Sequence, residues 1–96
     1  MKPPRSQVHI KLFAMFKETA GQKEIIHPIK PDTALRTLLE SLAVKYGGDF
    51  NETIDHETGQ VDVNTLVMLN GRTIRNLGTK LKDNDLLVIT VPAAGG

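Results

Sequence analysis

The chain has 96 residues and sets 12 Lys and Arg against 11 Asp and Glu, a net charge of +1. That size fits one small domain, and a near-neutral balance with three Phe, one Tyr and no Trp offers neither an electrostatic footprint nor a stacking platform for nucleic acid. The absence of cysteine excludes disulfides, thiolate metal sites and any cysteine nucleophile or sulfur store within the chain.

A composition of 40% hydrophobic and 24% charged residues is that of a folded chain, not a disordered one. Residues 1–7 are too short and polar for a signal peptide, and no apolar run approaches a membrane span. A cytoplasmic domain with no membrane partner is expected.

In "QVHIKLFAMF" Val8, Ile10 and Leu12 share one face, and His9, Lys11 and Phe13 share the other. This alternation predicts a strand buried on one side. "KETAGQ" reads as a turn and "KEIIHPI" as a second strand, which together predict a hairpin. Pro28 cannot donate to a ladder, so the second strand belongs at an edge. His27 alternates with Ile25 and Ile29 and is expected at the core side or its margin. "PDTALRTLLESLAVKYGG" predicts a helix capped by Asp32 after Pro31. Leu35, Leu38, Leu39, Leu42 and Tyr46 form its apolar stripe, and Gly47 or Gly48 ends it.

"DFNETIDHETGQVD" is polar, anchored by Phe50, Ile54 and Val61. It predicts a surface segment with a short turn of helix and a small hairpin near Thr58-Gly59. "VNTLVML" predicts a central strand, and Asn70-Gly71 a tight turn after which "RTI" pairs back. Leu81 anchors the next stretch, Asn84 suits a left-handed turn position, and residues 86–91 form the last strand.

One amphipathic helix needs one apolar sheet face to cover it, which makes an α+β two-layer roll. Placing the last strand in the middle of a mixed sheet, beside the first, buries both apolar runs. That arrangement is a β-grasp, or ubiquitin-like, roll. The domain is expected over residues 1–92, with residues 93–96 as a flexible diglycine tail.

Several stretches carry a resemblance. "LFAMFKETAG", "LVMLNGRTI" and "LKDNDLLVITVPAAGG" resemble the first strand and turn, the middle strand and turn, and the closing segment of the MoaD/ThiS sulfur-carrier proteins. The likeness runs from about Val8 to Gly96, is weak across residues 47–62, and extends to the archaeal small modifier proteins. The chain departs from the pattern in having Asn84 where the family usually has glycine, and one proline, Pro92, where MoaD proteins commonly have two. The resemblance implies a sulfur carrier for molybdopterin (molybdenum cofactor) biosynthesis. Its partners would be a ubiquitin-activating-like adenylating enzyme and the large subunit of molybdopterin synthase.

The tail also speaks through its chemistry. A carboxylate is a poor acyl donor until it becomes an acyl-adenylate, made by attack on the α-phosphate of ATP held by another enzyme. The chain itself is expected to bind no cofactor and to be no enzyme in isolation. Glycine permits close backbone approach, so Gly95 leaves the Gly96 carboxylate unhindered. Ala93 and Ala94 add little bulk, and Pro92 stiffens the arm and lowers its ordering cost. Sulfur would convert Gly96 to a thiocarboxylate; a target-protein lysine would convert it to an isopeptide. A non-covalent binding module with an incidental diglycine is the third reading.

A docking surface is expected on the sheet face away from the helix, as the resemblance implies. Phe13 lies there. Apolar residues of both parities occur in the last two long strands, and Met68, Ile89 and Val91 are taken as candidates, with Arg72 and Arg75 near the tail side. His9, His27 and His56 lack metal-ligand spacings, and His56 reads as part of a solvated acidic loop. Gly47-Gly48 follows a helix and does not open one, so it is no phosphate cradle.

Overall fold

The computed structural model describes residues 6–92. The first alternating run forms β1 (Ser6–Leu12), with Val8, Ile10 and Leu12 fully buried. It pairs antiparallel with β2 (Glu24–Ile29). The connection differs from the simple turn expected from the sequence, because it contains a seven-residue helix, α1 (Ala14–Ala20). Ala14 reverses the chain at φ 54°, and Phe16 then drops into the core. Gly21, at φ 75°, closes the helix by donating its amide to the Lys17 carbonyl at 2.9 Å. Ala, Met, Lys and Glu are good helix formers, and the buried Phe16 supplies the tertiary contact that so short a helix requires.

The main helix, α2, spans Leu35–Tyr46. It starts later than the Asp32 cap predicts. Asp32 sits in a turn at φ 63°, and Ala34 takes the cap position without a side-chain cap bond. The Leu35 amide donates to the Thr79 carbonyl at 2.8 Å and the Arg36 amide to Leu77 at 3.0 Å. Backbone carbonyls of a distant loop thus satisfy the helix-start donors that a cap would otherwise serve. Leu35, Leu38, Leu39 and Leu42 are buried as the stripe requires. Gly47 ends α2 at φ 65°, ψ −150°, a region essentially closed to other residues.

A 3-10 turn (Gly48–Glu52) and a small hairpin of β3 (Ile54–Asp55) and β4 (Gln60–Val61) follow, as expected. Phe50 wedges between Phe16, edge-on at 5.2 Å, and Tyr46 at 5.3 Å. This aromatic contact ties α1, α2 and the connection together. Next come β5 (Leu66–Leu69), the Asn70-Gly71 turn, β6 (Arg72–Thr73) and β7 (Leu86–Thr90). Asn70 and Gly71 both have positive φ, the geometry of a tight hairpin. Asn84 occupies a left-handed position at φ 67°.

The sheet order is β2-β1-β7-β5-β6. β7 lies at the centre, parallel to β1 and antiparallel to β5, with α2 over one face. This is the β-grasp, ubiquitin-like roll. β2 is the edge strand that Pro28 demands. The Leu12 amide donates to the Lys23 carbonyl, so by alternation Pro28 turns its missing donor to the open edge and leaves the β1 ladder intact.

Candidate functional site

The strand registers sort every sheet residue onto one of two faces. The inner rows run Ile25–Ile10–Leu87–Leu69 and Leu12–Ile89–Val67. Val67, Leu87 and Ile89 are fully buried there, and Val91 packs against the same core. Ile89 is therefore corrected from a partner-contact candidate to a core residue, and Val91 belongs to the core parity too. The physical reason is register. Each of the last long strands has apolar residues at both parities, so its sequence left the buried set undecided. Pairing to β1, whose buried set is unambiguous, settles it.

The outer rows run Ile26–His9–Leu86 and Glu24–Lys11–Val88–Met68–Thr73. A further row joins Leu66 to Thr90 and reaches Phe13, whose amide donates to the Ile89 carbonyl at 3.2 Å. Leu66, Met68, Leu86 and Val88 are half-buried on this face and Phe13 is 38% exposed. Five apolar side chains thus form a patch, with His9 and Lys11 along one margin. Phe13 and Met68 lie on the face away from the helix, where the sequence reading put them. Of the two parities that reading left open in the last long strands, the registers turn Leu66, Leu86 and Val88 outward.

The patch adjoins the exit of β7. Thr90 is the last residue of that strand, and Pro92, the last described residue, is exposed. Ala93, Ala94, Gly95 and Gly96 lie outside the described residues. Arg72 pairs with Leu69, three positions along β5 from the Leu66 row. At ~3.4 Å per residue that is about 10 Å from the exit. Arg72 is exposed, but it stands at the Asn70-Gly71 end of the sheet and not beside the tail. The Arg75 guanidinium is engaged with the Val61 carbonyl at 2.8 Å.

The turn that launches β7 is held by a compact polar network. The Asn70 amide group donates to Asp85 at 2.9 Å and its oxygen accepts from the Leu86 amide at 2.9 Å. The Asp85 carboxylate also accepts from the Lys82 amide at 2.7 Å. Asp83 accepts from the Gln7 amide at 2.9 Å. The acidic turn therefore fixes where β7 enters the sheet beside β1 and β5.

His27 lies at the margin of the core, where partial burial lowers its pKa below the ordinary histidine value and nearby Lys45 lowers it further. His56 is exposed. Among the described residues no group of three or more His, Asp or Glu side chains is placed to hold a metal ion. Among them, too, no helix is long and apolar enough to cross a membrane.

Residues 10–96 match the ThiS family. The chain belongs to the ThiS family. It is 33% identical over 93 residues to small archaeal modifier protein 3 of Haloferax volcanii, covering 94% of this chain and 99% of that one. A solution structure of a Haloferax volcanii protein superposes with a TM-score of 0.81 at 30% identity, covering 96% of this chain and 88% of that one. A structure described as a putative molybdopterin converting factor, subunit 1, from Pyrococcus furiosus has a TM-score of 0.77 at 23% identity, covering 92% and 99%. That last likeness shows the shared fold. The chain is a ubiquitin-fold protein of the sulfur-carrier and small-modifier class.

Proposed function

We propose that the chain is a sulfur carrier activated at Gly96. The observation that carries this reading is the course of β7. It runs through the centre of the sheet, passes the outer apolar patch and delivers an exposed Pro92, while the family match continues through Gly96. The patch of Phe13, Leu66, Met68, Leu86 and Val88 docks a ubiquitin-activating-like adenylating enzyme, as contiguous, partly exposed apolar surface commonly does. The Gly96 carboxylate attacks the α-phosphorus of ATP on that enzyme and releases pyrophosphate. A persulfide sulfur from a partner displaces AMP, and a thiol cleaves the resulting S–S bond, leaving the thiocarboxylate and a disulfide. The proposed acceptor is the molybdopterin precursor, reached through the large subunit of molybdopterin synthase. The resemblance of the closing segment supports that choice.

A second reading is favoured by the near full-length identity to a small archaeal modifier protein. The same adenylate is taken by a target lysine amine, AMP leaves, and an isopeptide bond forms.

Deleting Gly96 tests the common step. The variant should keep its thermal midpoint and lose ATP-dependent pyrophosphate release with the activating enzyme. Retained activation, or loss of the fold, would overturn the assignment. For conjugation, Lys82 is the last basic residue, so trypsin leaves the branch "DNDLLVITVPAAGG" on a modified lysine. Peptides bearing that branch would establish the second reading, and their absence from high-mass species would refute it.

A further inference from the structure

Of the asparagines in the chain, Asn70 alone precedes a glycine. In that pair an asparagine side chain is most open to attack by its own backbone. The nitrogen of the following residue must reach the side-chain carbonyl carbon, and a glycine there has no Cβ to obstruct it. At Gly71 the approach is open. Apart from its chain neighbours, no atom of the described residues lies within 4 Å of the place a Cβ would take. Asn70 and Gly71 are both exposed, so water reaches them.

The fold holds the reacting group back. Asn70 Nδ2 donates to the Asp85 carboxylate and Asn70 Oδ1 accepts from the Leu86 amide, each at 2.9 Å. The Asn70 main-chain amide donates to the Leu86 carbonyl at 2.8 Å. Both ends of the side-chain amide are thus committed to the start of β7, and it cannot turn toward the Gly71 nitrogen without letting go. The bond to Asp85 is charge-assisted, the stronger kind. The other Asp85 oxygen accepts from the Lys82 amide at 2.7 Å, so the far end of the clamp is itself fixed.

We propose that Asn70 is a site of spontaneous deamidation, with Asp85 as the clamp that restrains it. Once the side chain is released, the Gly71 amide gives its proton to water and its nitrogen bonds to Asn70 Cγ. Ammonia leaves with Nδ2, and a cyclic succinimide remains. Water opens the ring at either carbonyl and leaves aspartate or isoaspartate at position 70. The change runs one way, because the clamp cannot form again. A carboxylate at position 70 has no donor for Asp85 and sets two like charges side by side. Isoaspartate also adds a carbon to the main chain inside a turn that the Leu69–Arg72 pair closes. Either product loosens the start of β7, where Leu86 belongs to the outer patch. The modification therefore ages the docking face, whatever the fate of Gly96.

The test is incubation of the full chain at mildly alkaline pH, with intact mass and peptide fragmentation to place each exchange of NH2 for OH. Position 70 should convert before Asn51, Asn64, Asn76 and Asn84. The synthetic peptide "LVMLNGRTI" should convert about a hundredfold faster than the folded chain, because the chain must first open locally. Asp85→Ala, which deletes the clamp, should speed the chain about tenfold. Asp85→Asn, which keeps the shape of the turn, should act in the same direction if the alanine variant does not fold. Asp83→Ala removes the neighbouring bond to the Gln7 amide without touching Asn70, and should change the rate by less than about twofold. Asn70→Asp should raise hydrogen exchange at the Lys82 and Leu86 amides about tenfold. Equal rates in peptide and chain, equal acceleration by the Asp83 and Asp85 variants, earlier conversion at another asparagine, or unchanged exchange in Asn70→Asp would each overturn the proposal.

Discussion

Ile89 and Val88 are neighbours on the central strand, and replacing each with alanine separates the two faces of the sheet. Ile89 is fully buried, opposite Leu12 on one side and Val67 on the other. Ile89→Ala removes buried methyl and methylene groups and leaves a cavity that flanking strands cannot fill, at a cost of about 2–5 kcal/mol. Val88 stands half-buried between Lys11 and Met68 on the open face. Complete burial of a valine side chain contributes about 1.5–3 kcal/mol, and part of that is already forfeited to solvent. Its loss opens outward and leaves no enclosed void, so Val88→Ala should cost about 1 kcal/mol. A domain of this size has about 5–15 kcal/mol in all, so the first change removes a substantial part of it. Urea unfolding with a shared slope reads the difference from the midpoints. Ile89→Val, at about 0.5–1.5 kcal/mol, keeps the comparison available if the alanine variant does not fold. Equal losses at the two positions, or a larger loss at Val88, would refute the face assignment and the patch built on it.

Three further outcomes are expected. Gly47→Ala forces a side chain into backbone angles of φ 65°, ψ −150° and should cost about 1–3 kcal/mol, measured by thermal unfolding; an unchanged midpoint would show that this helix end relaxes freely. His27 should titrate below the ordinary histidine value by NMR, with burial as the larger cause and Lys45 as the smaller. Because the unfolded state then binds more protons, stability should fall as the pH drops from the ordinary histidine range toward the folded pKa, and His27→Gln should flatten that fall. Met68→Glu and Val88→Glu place charge on the proposed docking patch and should raise the KM for the activating enzyme about tenfold or more, with thermal midpoints near that of the unaltered chain; an unchanged KM would move the interface elsewhere.

The reach of the sequence can be judged from particular residues. β1 was legible because Val8, Ile10 and Leu12 alternate with polar neighbours, and the edge position of β2 followed from the chemistry of Pro28. The hairpin turn was legible because few pairs other than Asn70-Gly71 take two positive φ values readily. Helix α1 was not. In the sequence the β1 pattern runs on without a break residue through Phe13 and Met15, and the chain reversal at Ala14 uses a left-handed conformation that alanine rarely adopts. The signal present was a run of helix formers ending at Gly21, with Phe16 and Ala20 spaced one turn apart. The start of α2 was misplaced at Asp32 because its first amides bond to carbonyls of Leu77 and Thr79, which are distant in sequence. The outer patch was half legible for the reason already seen at Ile89: a strand apolar on both faces does not declare which one is covered. The family resemblance concentrated in the two turns and the closing segment, where backbone geometry restricts residue choice, and was weakest across the polar residues 47–62.

The central claim concerns one carboxylate. The direct measurement is the intact mass of the chain taken from its native cells, with a thiol-reactive alkylating agent present at lysis. The account predicts a fraction heavier by the exchange of one oxygen for sulfur, alkylated only at Gly96. Unmodified chain throughout, with no conjugates of higher mass under any growth condition, would contradict it and leave a non-covalent binding domain.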